Sequence, residues 1–349
     1  MFCLSAKAQE QADSTAKRTT FFPLPLVYYT PETRWAFGAA GFLSWRFKSE
    51  ADTSRPSQIQ AGGAYTLEDQ ILAYLAYQMW WDDEKYTLFG ELGWYRYNYY
   101  YFGIGNNIPM DYKELYGVNY PRLRATFMRE MYPNIYTGIR ITADNFDITE
   151  LASGGELENQ NITGTNGGFN IGAGIAVTYD TRDNYFESHK GWYAELNIDR
   201  LGPYLGSDFE YTRLMVDLRK FFVLSKNDFF GMNFYSEAIY GNAPFITLAL
   251  LGGNKRLRGF YEGRYRDNNS AILQAEYRRD IIGRLGAVVF GGVGAVSDGY
   301  ENMALSSIRS TYGAGLRMAI NKEDRINIRF DVGVGNGEPA YYLTIGEAF

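Results

Sequence analysis

The sequence predicts an all-β chain, closed into a sixteen-stranded antiparallel transmembrane β-barrel with a long loop folded into its lumen. Three observations point there. Between Ser270 and Phe349 apolar and polar side chains alternate almost without interruption. From Arg325 to Asp331, for example, Ile326, Ile328 and Phe330 fall on one face, and Arg325, Asn327, Arg329 and Asp331 on the other. A period of two sends these sets to opposite sides of a strand. The polar face is dense in Arg, Asp and Glu while the apolar face is banded with aromatics, which fits lipid outside and a polar lumen inside. The second observation is composition: 30 Tyr, 23 Phe and 6 Trp beside 38 Gly in 349 residues. Third, mean hydropathy is −0.31, and no run of about 18 apolar residues is available for a helical span. A closed barrel is then the spanning form that pairs every backbone group.

The elements follow in order. Strand cores are expected at 22–29, 34–47, 57–66, 70–81, 85–97, 120–131, 135–146 and 168–179. The second half continues at 191–199, 209–222, 229–240, 270–281, 284–295, 308–319, 325–334 and 340–349. Connections support the count, since outer-membrane barrels pair short periplasmic turns with longer outer loops. With both termini periplasmic, the long insertions at 98–119, 147–167, 241–269 and 296–307 all fall on the outer side. The tight turns at 81–85, 132–134, 224–228, 282–283 and 321–324 all fall on the other. Residues 1–21 read as the remnant of a signal peptide, with Ala6, Lys7 and Ala8 resembling a cleavage site, and a flexible periplasmic lead-in. Residues 22–349 are the barrel.

The single Cys3 and single His189 leave no material for a disulfide framework or a Cys/His metal site. Neither metal nor cofactor is expected. A net charge of −6 argues against a nucleic-acid partner. His189 is a poor catalytic candidate, because Ser188 beside it would point to the opposite side of a strand, so no enzyme activity is expected. The acids Asp82, Asp83 and Glu84 read as a solvated turn, and Asp298-Gly and Asn336-Gly as hairpin turns.

The longest loop carries the most information. Between Gly252 and Asp267 it holds four arginines, one lysine and the aromatic pair Phe260 and Tyr261, which points to a folded tip inserted into the lumen. Glu276, Asp280, Asp331, Asp217 and Glu195 face inward on the expected strands. Carboxylates of this kind are what a buried guanidinium requires. The alternative is a solvated basic loop that touches anionic lipopolysaccharide.

Leu257-Arg258-Gly259-Phe260 resembles the (V/I/L)RG(F/Y) tip of the outer-membrane protein 85 superfamily, and its place between the eleventh and twelfth strands of sixteen agrees. The run from Tyr179 to Asn184 followed by Gly191 is similar to that family's YDTRDN…G turn. Glu276-Tyr-Arg278 and Gly313-Ala-Gly-Leu-Arg317 are similar to its ExR and GxGxR motifs. Thr30-Pro-Glu-Thr33 and the ending Gly346-Glu-Ala-Phe349 resemble compact bacterial members. The chain is thus identified as similar to a barrel-only BamA/TamA-like bacterial surface antigen. That resemblance implies a bacterial outer-membrane location and a part in protein assembly or translocation. Arg258 is then expected in a lumen charge network with Glu276, Arg278, Arg317, Arg329, Asp331 and Asp217. The sequence departs from the family pattern at Gly292, where an aspartate usually receives the tip arginine, so Glu276 becomes the favoured partner. It also departs in having no polypeptide-transport-associated domains before residue 22, so separate periplasmic or outer-membrane partners, or client proteins, are expected.

An assembly factor would work through a weak seam between the first and last strands, on which Phe349 and Gly346 are expected to lie. Gly333, Gly335, Gly337 and Gly346 either weaken that seam or serve ordinary barrel curvature. The competing readings are a plugged structural or partner-bound barrel, then a solute channel. Lipid and lipopolysaccharide would surround either.

Overall fold

The structure is a computed structural model that describes residues 19–51, 54–159, 161–322 and 325–349. The signal remnant and most of the lead-in expected before residue 22 lie outside the described residues. Among the described residues, sixteen strands form one closed antiparallel ring. The first half comprises β1 (Thr19–Thr30), β2 (Arg34–Trp45), β3 (Ser57–Thr66), β4 (Ile71–Trp81), β5 (Tyr86–Tyr101), β6 (Glu114–Tyr132), β7 (Ile135–Leu151) and β8 (Gly168–Asp180). β9 (Gly191–Leu201), β10 (Glu210–Val223) and β11 (Asp228–Asn242) follow. The long loop then contributes its own hairpin, β12 (Ala249–Leu251) and β13 (Tyr265–Asp267). The wall resumes with β14 (Asn269–Ile282), β15 (Leu285–Ser297), β16 (Arg309–Asn321), β17 (Ile326–Gly335) and β18 (Glu338–Ile345). Among the described residues helix is confined to loops, the longest piece being Glu156–Asn159.

Side-chain alternation sorts the two environments. On β17, Arg329 and Asp331 are 1 % and 0 % exposed, whereas Phe330 between them is 42 % exposed. The same alternation exposes Leu218, Phe234, Leu273, Val289 and Leu316 around the outside, a band suited to hydrocarbon. Aromatic rings gather at its margins. Trp81, Tyr86 and Phe127 stack at 5.9–6.1 Å near the terminal end, and Trp35 stacks on Phe37 at 6.3 Å near the loop end. Rings with one apolar and one wettable edge suit these boundaries.

Several strand ends differ from the sequence reading. β5 and β6 run on beyond their expected ends and pair Tyr101 with Glu114, which shortens the loop expected at 98–119. Rings explain the extension: Tyr99 stacks on Tyr97 at 4.6 Å, and Tyr101 and Tyr116 pack edge-on against Phe245 at 5.7 and 5.1 Å. Arg325, expected on a strand facing the lumen, lies in the turn before β17 with φ of 55° and pairs with Asp183 at 2.7 Å. The last strand ends at Ile345, because Gly346 takes φ of 83° and turns the chain out of the sheet.

A testable outcome follows from the register. Single cysteines at 330 and 329 should be distinguished by a lipid-soluble maleimide, which reacts at 330 and spares 329; the reverse would put β17 one residue out of register. Phe330→Arg should destabilise the barrel by about 2–4 kcal/mol if it lies near the bilayer midplane, measured by urea unfolding in vesicles.

Candidate functional site

The loop between β11 and β14 folds back into the barrel, and its tip is built by backbone geometry that few residues accept. Leu257 has φ of 60° and Gly259 has φ of 119°. Together they send the Arg258 side chain into the wall, where its guanidinium hydrogen-bonds to both Glu276 on β14 and Asp331 on β17. Arg258 is 2 % exposed and lies over the Phe290 ring at 3.6 Å. A planar group that reaches two carboxylates and an aromatic face at once is a geometry that lysine does not reproduce.

The wall is shaped to receive this tip. A Cβ at Gly333 would lie 2.8 Å from the Arg258 carbonyl, and one at Gly335 would lie 2.7 Å from the Phe260 ring. These glycines are therefore the docking face for the tip, a role neither sequence reading gave them. Gly292 has a related reason. Its missing side chain leaves the space that Leu257 fills, with a built Cβ 3.0 Å from the Leu257 side chain. The departure at 292 thus exchanges a carboxylate for apolar packing, while Asp331 and Glu276 supply the charge. In the same way Gly315 leaves room for the Asp331 carboxylate and for Arg317, which is the physical content of the GxGxR spacing.

The charge network extends from the tip toward the terminal end. Arg317 donates to Asp331 at 2.6 Å and to Glu347 at 2.8 Å. Arg278 donates to Glu276 at 2.8 Å and to the Phe349 carbonyl at 3.2 Å. Arg329 donates to Thr344 at 2.8 Å and to the loop carbonyl of Asn254 at 2.9 Å, with Asp331 3.5 Å away. Burial opposes ionisation of Glu347, but Arg317 and Arg278 outweigh it and hold the carboxyl below its usual range. Asp217 stands apart from Arg258. It pairs with Arg219 on its own strand and accepts from Asn233 at 2.7 Å. Asp280 is exposed at the rim, and Glu195 binds Tyr193 and Asn197.

The turn between β8 and β9 is locked by its own side chains. Asp180 and Arg182 form two hydrogen bonds of 2.9 Å. Asn184 accepts from the backbone N–H groups of Phe186 and Glu187, and Asp183 accepts from those of His189 and Lys190. Burial raises the Asp183 pKa, but Arg325 and those two N–H groups outweigh it and hold the carboxyl below its usual range. Gly191 closes the motif, since a Cβ there would meet the Thr181 carbonyl at 2.2 Å. His189 stacks on Phe229 at 3.5 Å, and the Ser188 hydroxyl donates to the Asn184 carbonyl; the two do not face each other. Asp82, Asp83 and Glu84 all have positive φ in their turn, and Glu50 accepts from the N–H groups of Asp82 and Asp83 at 2.9 Å. Among the described residues no cluster of acidic, His or Cys side chains is arranged to hold a metal.

The ring is complete but unequal. β1 pairs with β2 at every position from Thr19 to Thr30, whereas among the described residues its register with β18 is the single pair Tyr29↔Leu343. Phe349 and Gly346, expected on this seam, are not part of it. After the Gly346 turn, whose N–H donates to the Asn327 carbonyl at 2.8 Å, Phe349 enters the lumen and packs near Phe221 with ring centroids 6.3 Å apart. The signal that was missed lies in Glu347: a carboxylate one residue after a glycine has a reason to leave a lipid-facing strand.

Arg258→Ala is expected to release the tip at a cost of about 3 kcal/mol, the lower end for breaking a buried pair, because Arg278 and Arg317 remain on the same carboxylates. Protease sensitivity of the loop, with the barrel's heat-modifiable gel mobility retained, checks this. Gly333→Val should expose the loop in the same way without changing any charge.

Comparison with known proteins agrees with the barrel fold. Among curated proteins none matches the chain. Among solved structures, BamA from Haemophilus ducreyi lacking POTRA domains 1–3 superposes with a TM-score of 0.63 at 14 % identity, covering 94 % of this chain and 70 % of that one. CdiB from Acinetobacter baumannii gives 0.60 at 12 % identity over 95 % of this chain and 60 % of its own length. CdiB from Escherichia coli gives 0.60 at 11 % over 95 % and 63 %. The chain therefore spans less than two thirds of either CdiB. The Omp85 superfamily domain matches residues 43–349, and the chain belongs to the Omp85 superfamily.

Proposed function

We propose that this barrel assists the assembly or translocation of other polypeptides, using the β1–β18 seam as its working edge. The chain is a bacterial outer-membrane barrel of the Omp85 superfamily. The observation that carries the proposal is the single register pair across the seam, Tyr29↔Leu343. An edge strand in hydrocarbon with unmatched N–H and C=O groups is costly, several kcal/mol per group. A client strand that supplies those bonds relieves the cost, which is β-augmentation within the membrane. The lumen loop contributes by filling the barrel, so that what enters does so at the edge rather than through the middle.

The client is expected to be an amphipathic strand with one apolar face. Separate periplasmic or outer-membrane proteins deliver it, lipid contacts the outward apolar band, and lipopolysaccharide meets the outer loops. A plugged, partner-bound barrel is the second reading, favoured by the Arg258 pairs. Those pairs also disfavour a solute channel.

A Tyr29→Cys, Leu343→Cys pair in a Cys3→Ser background tests the seam. Oxidation should stop function and reduction should restore it, read as selective loss and recovery of other barrels in the outer-membrane proteome after depletion of the native protein. An unchanged proteome with the seam locked would leave the plugged-barrel reading in its place.

A further inference from the structure

The two strands that meet so sparingly at the seam are each bonded to the same short stretch of the lumen loop. On β18, the Tyr342 hydroxyl accepts from the Gly259 N–H at 3.0 Å and donates to the Phe260 carbonyl at 3.2 Å; Tyr342 is fully buried. On the other side, the turn joining β1 to β2 presents Glu32, whose carboxyl accepts from the Glu262 N–H at 2.7 Å. Only Tyr261 separates the two attachment points along the loop. Tyr261 packs against Phe102 at 5.3 Å and against Tyr100 at 5.8 Å, at the end of β5. Glu32 is held in place from behind: Thr30 and Thr33 close its turn, and Gln70 donates to its backbone carbonyl at 2.9 Å.

We infer that the lumen loop is a clasp across the outer end of the seam, with Glu32 and Tyr342 as the positioning residues that hold the two edge strands to it, and that release of Glu32 is the step that lets the edges part. The inference rests on the seam being the working edge. It gives the Thr30-Pro-Glu-Thr33 motif a role: the glutamate is the β1 side of the clasp.

The clasp is sensitive to protonation. Burial, and then the neighbouring Glu262 carboxylate, push the Glu32 carboxyl up to about 7, against the pull of the Glu262 N–H, its own turn's backbone and Thr30. Around Glu32 stand Tyr261 and Glu262 from the loop and Tyr342 from β18, and among the described residues no cation lies within ion-pair distance of it. The nearby Arg34 pairs instead with the exposed Glu68 at 3.6 Å. Burial raises Glu262 as well, opposed by Arg256, Arg266 and Lys255 of the loop and Arg122 of β6. A group raised on folding stabilises most below its unfolded pKa, near 4.5, and loses that contribution as pH rises through its folded value, near 7. The clasp is therefore tighter in mild acid than at slightly alkaline pH.

The test measures the seam without any client. Nitroxides are placed at the lipid-facing positions Val27→Cys and Tyr341→Cys in a Cys3→Ser background, in lipid vesicles. Their dipolar distance distribution is read at about pH 5 and about pH 8. The parent barrel should show one short distance at the lower pH and a growing longer component at the higher. Glu32→Ala should raise the open fraction about fivefold at the lower pH, the effect of losing one net hydrogen bond of about 1 kcal/mol, and Tyr342→Phe, which loses two, should raise it further. Glu32→Gln, which keeps an acceptor but cannot ionise, should stay closed at both. Unchanged distributions in Glu32→Ala and Tyr342→Phe would overturn the clasp, as would a pH response that survives Glu32→Gln. If the distances respond but locking the seam leaves the proteome unchanged, the clasp stands and the assembly reading falls.

Discussion

Arg258 between Glu276 and Asp331 is the contact on which the rest of the lumen depends. Each carboxylate it meets is shared with a second guanidinium, Arg278 or Arg317, and those two converge on Glu347. Desolvating charges of this number is tolerable when each is hydrogen-bonded on more than one side. The loop tip is thus one member of a lattice of charges that ties β14, β16, β17 and the chain's last turn together. The glycines of β17 matter for the same reason, since the guanidinium reaches both acids only if the tip backbone comes against the wall.

The outer surface imposes the complementary constraint. In hydrocarbon the sheet must satisfy its own backbone, so among the described residues a ring with fifteen long-paired interfaces and one sparse one concentrates its weakness at a single place. The poor interface lies beside the region where the loop tip is most firmly anchored. Two features that seem separate in sequence, a basic loop in the second half and a Pro-Glu turn near the start, meet there through Glu262 and Glu32.

Most of the barrel was legible in the sequence because lipid on one side and charge on the other leave a period-two record in every strand, as from Ile326 to Asp331. The inward course of the loop was legible too, since so much positive charge beside Phe260 and Tyr261 calls for carboxylates. What was not legible depends on local conformation or on contacts between distant segments. No periodicity shows that Gly346 turns the chain inward, that Arg325 belongs to a turn, or that Gly292 makes room for Leu257. Glu276 was the favoured partner and Asp331 one inward acid among several, and only their positions around the ring let one arginine reach both. Tyr342 carried no signal as a clasp residue, because one tyrosine among thirty is indistinguishable by type.

The pairing of Asp183 with Arg325 links the turn after β8 to the turn before β17, two points far apart around the circumference of the barrel. A hoop interrupted at one stave normally loses its roundness when that stave gives way, because nothing inside it resists flattening. A cross-tie between distant points changes the mechanics, because it resists flattening of the cross-section at its own end. Because Tyr29↔Leu343 and the Glu32 contact both lie at the loop end of β1, this tie braces the end of the barrel where β1 has no such support.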